Sequence, residues 1–166
     1  MKQAFLEIGR ILSTHALSGE VKFEVWGDDE SAAKRLGRVY LDRAGTSELT
    51  VKNCRVHGKF LLFSFEGIGD ADAAARLRMK TLYARREDLG LPEDTVFWAD
   101  LIGEKAVDAA TGEVYGTITD IYNRGASDIW EITRGEKTVL FPAAKPFVVS
   151  LSPEGGARIL PPEGLF

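Results

Sequence analysis

The chain has 166 residues, 45% of them hydrophobic and 28% charged, with a net charge of -4. That length holds one large or two small domains, and the composition is globular rather than disordered. It excludes a helical membrane span, because no stretch approaches the roughly 18 unbroken apolar residues that one needs.

The first residues, Met1 to Ile8, meet Glu7 too early to build the apolar core of a signal peptide. The single cysteine, Cys54, has no partner for an internal disulfide. Both features predict a cytoplasmic protein. Phe5 to Leu12 alternates apolar and polar residues and predicts a strand. Glu20 to Trp26 is the clearest period-two run, with Val21, Phe23 and Val25 on one face and Glu20, Lys22 and Glu24 on the other. Strands are predicted again over Arg38 to Asp42, Glu48 to His57 and Phe60 to Phe65. Ala44-Gly45-Thr46 and Gly58-Lys59 supply the hairpin turns. Asp70 to Leu77 reads as a short helix, with Asp70 as N-cap, Asp72 at the positive end of the dipole and alanines to propagate it. Thr81 to Arg85 returns as a strand. Residues 1–86 thus read as a β-domain of about six strands closed by one helix.

Residues 87–96 break the periodicity with polar residues and Pro92, and are expected to link two domains. Strands then resume over Lys105 to Asp108, Tyr115 to Tyr122, Ile129 to Thr133, Thr138 to Phe141, Phe147 to Leu151 and Arg158 to Leu160. Asn123 to Asp128 is a loop. Short strands with turns about every ten residues make 97–166 a second small barrel. Charge divides unevenly between the halves. Residues 1–88 carry 15 Lys and Arg against 13 Asp and Glu, whereas residues 89–166 carry 6 against 12. The acidic half repels phosphate and attracts basic proteins, so any nucleic-acid contact belongs to the first half.

No catalytic constellation is present. His15 and His57 are the only histidines, and with one cysteine they fall short of a zinc set. No P-loop or dinucleotide fingerprint occurs, and Gly67-Ile68-Gly69 reads as a turn into the helix. Cys54 reads as a small strand residue rather than a nucleophile. The chain is therefore expected to be no enzyme and to hold no cofactor or metal. Arg10, Lys22, Lys34, Arg35, Arg38 and Arg43 are interleaved with acids and read as a charge-balanced, solvated face. Arg76, Arg78, Lys80, Arg85 and Arg86 are denser and make the best electrostatic contact for RNA, with Arg10 and the loop residue His15 as further candidates. Phe97-Trp98-Ala99-Asp100-Leu101-Ile102-Gly103 sets two adjacent aromatics after the polar segment. On a strand, Phe97 and Trp98 would point to opposite faces, one into a core and one toward a partner or the neighbouring domain. Asp100 and Gly103 are expected to shape the entry turn of the second barrel. Asp128 either caps the loop that begins at Arg124 or meets a basic partner.

Four segments together resemble the RimM family of ribosome maturation factors. They are Gly9-Arg10-Ile11 with Thr14-His15-Ala16-Leu17-Ser18-Gly19-Glu20-Val21; Phe65-Glu66-Gly67-Ile68 with Asp70, Ala74 and Leu77; Phe97 to Gly103; and Pro162-Glu163-Gly164-Leu165. They stand in family order across nearly the whole chain. The resemblance implies an all-β fold of two barrels, the first similar to translation-factor barrels and the second a PRC-barrel. It implies a monomeric, non-enzymatic assembly factor for the small (30S) ribosomal subunit. Such a factor binds small-subunit ribosomal protein nineteen of the head, assists 16S rRNA processing and has no membrane association. The partner-binding residues would be Phe97, Trp98, Asp100, Arg124 and Asp128, and the RNA or ribosome contacts Arg10, His15, Arg76, Arg78 and Lys80. Ala16, Ser18 and Met79 depart from the family pattern: Ala16 and Met79 stand where glycine is usual, and Ser18 where arginine is. Two other readings fit a two-barrel chain. One is a flavin- or other cofactor-binding split barrel. The other is a stand-alone RNA-binding barrel in the first half.

Overall fold

A computed structural model describes residues 1–26, 30–123 and 126–166. The chain forms two units. One is Ala4–Leu91; the other is Pro92–Phe166 together with Met1–Gln3.

In the first unit, β1 (Phe5–His15), β2 (Glu20–Val25), β3 (Arg38–Tyr40), β4 (Glu48–His57), β5 (Phe60–Phe65) and β6 (Thr81–Arg85) close a barrel in the order β1-β2-β5-β4-β3-β6. Alternation drives it. Val21, Phe23, Leu61, Phe63 and Phe65 are fully buried, and Val21 and Phe23 lie opposite Phe63 and Leu61 in register. Phe63 meets Phe23 edge-on at 5.1 Å and stacks on Phe65 at 5.6 Å. Such pairs add about 0.5–1.5 kcal/mol each beyond the burial of their area. Gly9 lets β1 approach β2 closely, since a Cβ there would sit 2.0 Å from the Glu24 carbonyl oxygen.

The second face of β2 is not simply solvated. Glu20 is buried because Arg55 of β4 reaches it with two hydrogen bonds of 2.9 Å, from Nε and Nη2. That bidentate grip holds the Glu20 carboxyl below its ordinary range.

Two helices accompany the barrel. α1 (Glu30–Lys34) was not apparent from periodicity, being five residues long. α2 (Ala71–Ala75) is shorter than the predicted helix, but Asp70 caps it by accepting the Ala73 N–H at 2.8 Å. Arg86–Leu89 then forms one turn of 3-10 helix, stopped by Gly90 in the left-handed conformation, with Leu89 buried. Residues 87–91 of the segment expected as a linker thus lie within the first unit.

Ala16 and Met79 have φ of 59° and 64°. They are the only non-glycine residues among those described with positive φ. A residue that carries a Cβ is strained in this conformation, at about 1 kcal/mol per residue. Both side chains are exposed, so little packing opposes relief. Ala16→Gly and Met79→Gly should each raise stability by about 0.5–1 kcal/mol, read as a higher urea midpoint at unchanged slope.

In the second unit, β7 (Lys105–Asp108), β8 (Val114–Asn123), β9 (Asp128–Arg134), β10 (Lys137–Ala143), β11 (Val148–Ser152) and β12 (Gly156–Ile159) form one sheet. Its order is β10-β9-β8-β7-β12-β11. Strands β7 to β10 run as an antiparallel meander, and β12 pairs with β7 in parallel. Leu101, Ala106, Ile118, Ile121, Trp130, Ile132, Phe141, Ala157 and Ile159 fill the core. Asp108 closes the β7–β8 turn by accepting the N–H groups of Ala110 and Thr111, both at 2.8 Å, and the Tyr115 hydroxyl. These bonds, Tyr115 foremost, draw the Asp108 carboxyl down to about 2 and push Tyr115 up to about 12.

Candidate functional site

The segment after Val96 is a helical turn, α3 (Trp98–Leu101), not a strand. Phe97 and Trp98 therefore do not alternate across a sheet. Phe97 is the extended N-cap residue, with φ of -106° and ψ of 158°. Its N–H donates to Asp100 Oδ2 at 2.9 Å. This is the return half of a capping box, and it needs a carboxylate three residues on. The sequence does not announce it, because Phe97 has no side-chain acceptor and the spacing falls outside the Ser/Thr-x-x-Glu/Gln signature. The other Asp100 oxygen accepts the Gln3 N–H at 2.8 Å, and the Asp100 side chain is fully buried.

Downstream, Leu101 plugs into the core of the second unit, while the Gly103 N–H donates to the Ile118 carbonyl at 2.8 Å. The turn is thus pinned at both ends. Between the pins, Phe97 is half-buried and Trp98 is 43% exposed. The Trp98 indole N–H donates to Asp128 Oδ2 at 3.1 Å. The second Asp128 oxygen accepts from the Asn123 amide at 3.0 Å. A large exposed aromatic is therefore held in one orientation by a carboxylate that is itself held. Ile102, 44% exposed, extends the apolar surface along the chain.

Of the five residues expected to bind a partner, the structure links Trp98 directly to Asp128, and Phe97 directly to Asp100. Arg124 lies outside the described residues. The carboxylate that steadies Trp98 comes from β9, thirty positions along the chain. Nothing local in the sequence joins the two.

The expected RNA contacts all lie in the first unit. Arg76, Arg78 and Lys80 are exposed on the turn after α2, and none forms an ion pair among the described residues. Their segment is laced to β1, since Ile11 donates to the Lys80 carbonyl at 2.9 Å and Met79 to the Ile11 carbonyl at 2.8 Å. Arg10 is partly engaged, with Nη2 at 3.9 Å from Glu24. His15 and His57, far apart in the sequence, have ring centroids 5.0 Å apart. Burial raises the Cys54 thiol to about 11, which leaves it a poor nucleophile at neutral pH. No metal-ligand cluster of three or more groups and no helix long and apolar enough to cross a membrane occurs among the described residues.

The RimM N-terminal domain profile matches residues 6–89, and the PRC-barrel domain profile matches residues 93–160. A ribosome maturation factor RimM from Clostridium botulinum (strain Langeland) is 33% identical over 159 residues, covering 95% of this chain and 94% of that protein. One from Nitratidesulfovibrio vulgaris (strain DP4) is 37% identical over 166 residues, covering 97% and 93%. Among solved structures, a 16S ribosomal RNA processing protein RimM from Pseudomonas aeruginosa is 25% identical and covers 93% of this chain and 96% of its own, with a TM-score of 0.47.

Proposed function

The chain belongs to the RimM family, and from that we propose that it is a ribosome maturation factor that binds the small subunit and supports 16S rRNA processing without catalysing a reaction. It works in the cytoplasm, as a chaperone for the head of the subunit. Its second unit holds small-subunit ribosomal protein nineteen through Phe97, Trp98, Asp100 and Asp128, with Arg124 nearby in sequence. The observation that carries this reading is the exposed, oriented Trp98 on a unit rich in acids. Interface anchors are enriched in tryptophan, and a rigid one loses little entropy on docking. The acidic surroundings steer a basic ribosomal protein toward it.

The test uses the full chain. Labelled protein is sedimented with immature small-subunit particles through sucrose, with and without free ribosomal protein nineteen. Co-sedimentation that the free protein competes away is expected. Failure to sediment with the particles overturns the reading, and sedimentation that the free protein does not reduce moves the contact elsewhere on the subunit.

A further inference from the structure

We propose that the outer face of the first barrel carries a second, separate binding site: a grip for single-stranded RNA phosphate built on Lys22, Lys59 and Phe60, with His57 beside them. The sequence reads Glu20-Lys22-Glu24 as a balanced charge stripe, and the structure changes that balance. Glu20 is fully engaged by the Arg55 fork, at 2.9 Å twice. Glu24 lies opposite Arg10 in register, with the charges 3.9 Å apart. Glu20 is thus matched from a neighbouring strand and Glu24 loosely so, and Lys22 between them has no ion pair of its own among the described residues. Its ammonium stands 4.3 Å from the centroid of the Phe60 ring, and Lys59 brings a second ammonium to 5.4 Å from the same ring. Neither lysine has a carboxylate partner among the described residues. His57 faces Phe60 directly across the β4–β5 hairpin.

One ring therefore gathers two unneutralised cations at defined places. Like charges repel, so this arrangement gains when a polyanion enters between them. Lysines act as point charges toward phosphate, whereas carboxylates are best matched by an arginine fork, and here the fork is already occupied by Glu20. That favours a phosphodiester strand over an acidic peptide. The proposal rests on the maturation-factor reading only in choosing RNA among nucleic acids. Ribosomal-protein binding is measured separately, so the two fail independently.

The experiment measures binding of the full chain to a fluorescein-labelled oligouridine of about 20 nucleotides, by anisotropy, between 50 and 200 mM salt. Each phosphate contact on a single strand contributes a slope of about 0.7, so two contacts correspond to about a sevenfold greater loss of affinity over that range in wild type than in Lys22→Ala, Lys59→Ala. Lys59→Ala alone, on an exposed turn, should remove about half of that slope difference. Lys22→Arg, Lys59→Arg should restore the wild-type slope. Coincident slopes for wild type and the double alanine variant overturn the site. So does a double variant that loses affinity for a polyglutamate peptide but not for the RNA.

Discussion

Phe97→Ala, Trp98→Ala should weaken binding of the full chain to small-subunit particles by about thirtyfold or more, with the circular dichroism spectrum unchanged. Truncating an aromatic anchor seated in a partner's pocket removes about 2 kcal/mol or more of binding, and about 1.4 kcal/mol is a factor of ten. The fold should tolerate the change because Trp98 is 43% exposed, Phe97 is only half-buried, and the turn is held by Asp100 and Leu101 rather than by the rings. The loss should appear in the dissociation rate, since the charge that sets encounter is untouched. Sedimentation and surface-binding kinetics on the same preparation read both. A folded double variant that binds as wild type removes these rings from the interface.

Asp100→Ala should cost the second unit about 2–4 kcal/mol. Two backbone donors, from Phe97 and Gln3, converge on this buried carboxylate. Removing it leaves both without their acceptor, and each unsatisfied group costs about 1–3 kcal/mol when water cannot reach it. The effect exceeds that of a lost surface contact because the whole turn carrying Trp98 is anchored there. Asp100→Asn keeps a single acceptor oxygen and should fall between. Urea unfolding followed by tryptophan fluorescence measures the loss. Binding to the small subunit, measured at low temperature where the variant remains folded, should weaken as well, since Asp100 positions the aromatics. A variant as stable as wild type would show that the turn does not depend on this carboxylate.

Both β-units could be read in the sequence. Strand signals located β4, β5, β6 and β7 to the residue; β6 and β7 alternate buried and partly exposed positions, whereas β5 is an unbroken apolar run buried on both faces from Leu61 to Phe63. The α3 turn escaped that reading. Four residues are too few to show a helical period, and two adjacent aromatics resemble a strand. Phe97 at the N-cap lacks the acceptor side chain that marks a helix start, so the bond back from Asp100 shows only in the structure. The orientation of Trp98 was not legible at all, because its partner Asp128 arrives through strand pairing. The same holds for the surplus charge at Lys22. Whether an acid cancels a base depends on which neighbour has already claimed it, and Arg55 and Arg10 reach Glu20 and Glu24 from other strands.

The parallel seam between β7 and β12 sets an order of events during synthesis. Ala106 pairs with Ala157, about fifty residues later. While the nascent polypeptide emerges, the hairpins from β7 to β10 can form at once, but one flank of β7 stays open until the final strands are out. Such distant pairing is slow, and an uncovered edge invites misassociation. A released chain truncated after residue 147, which lacks β11 and β12, should therefore have a complete first barrel and a second unit prone to stick to whatever is near.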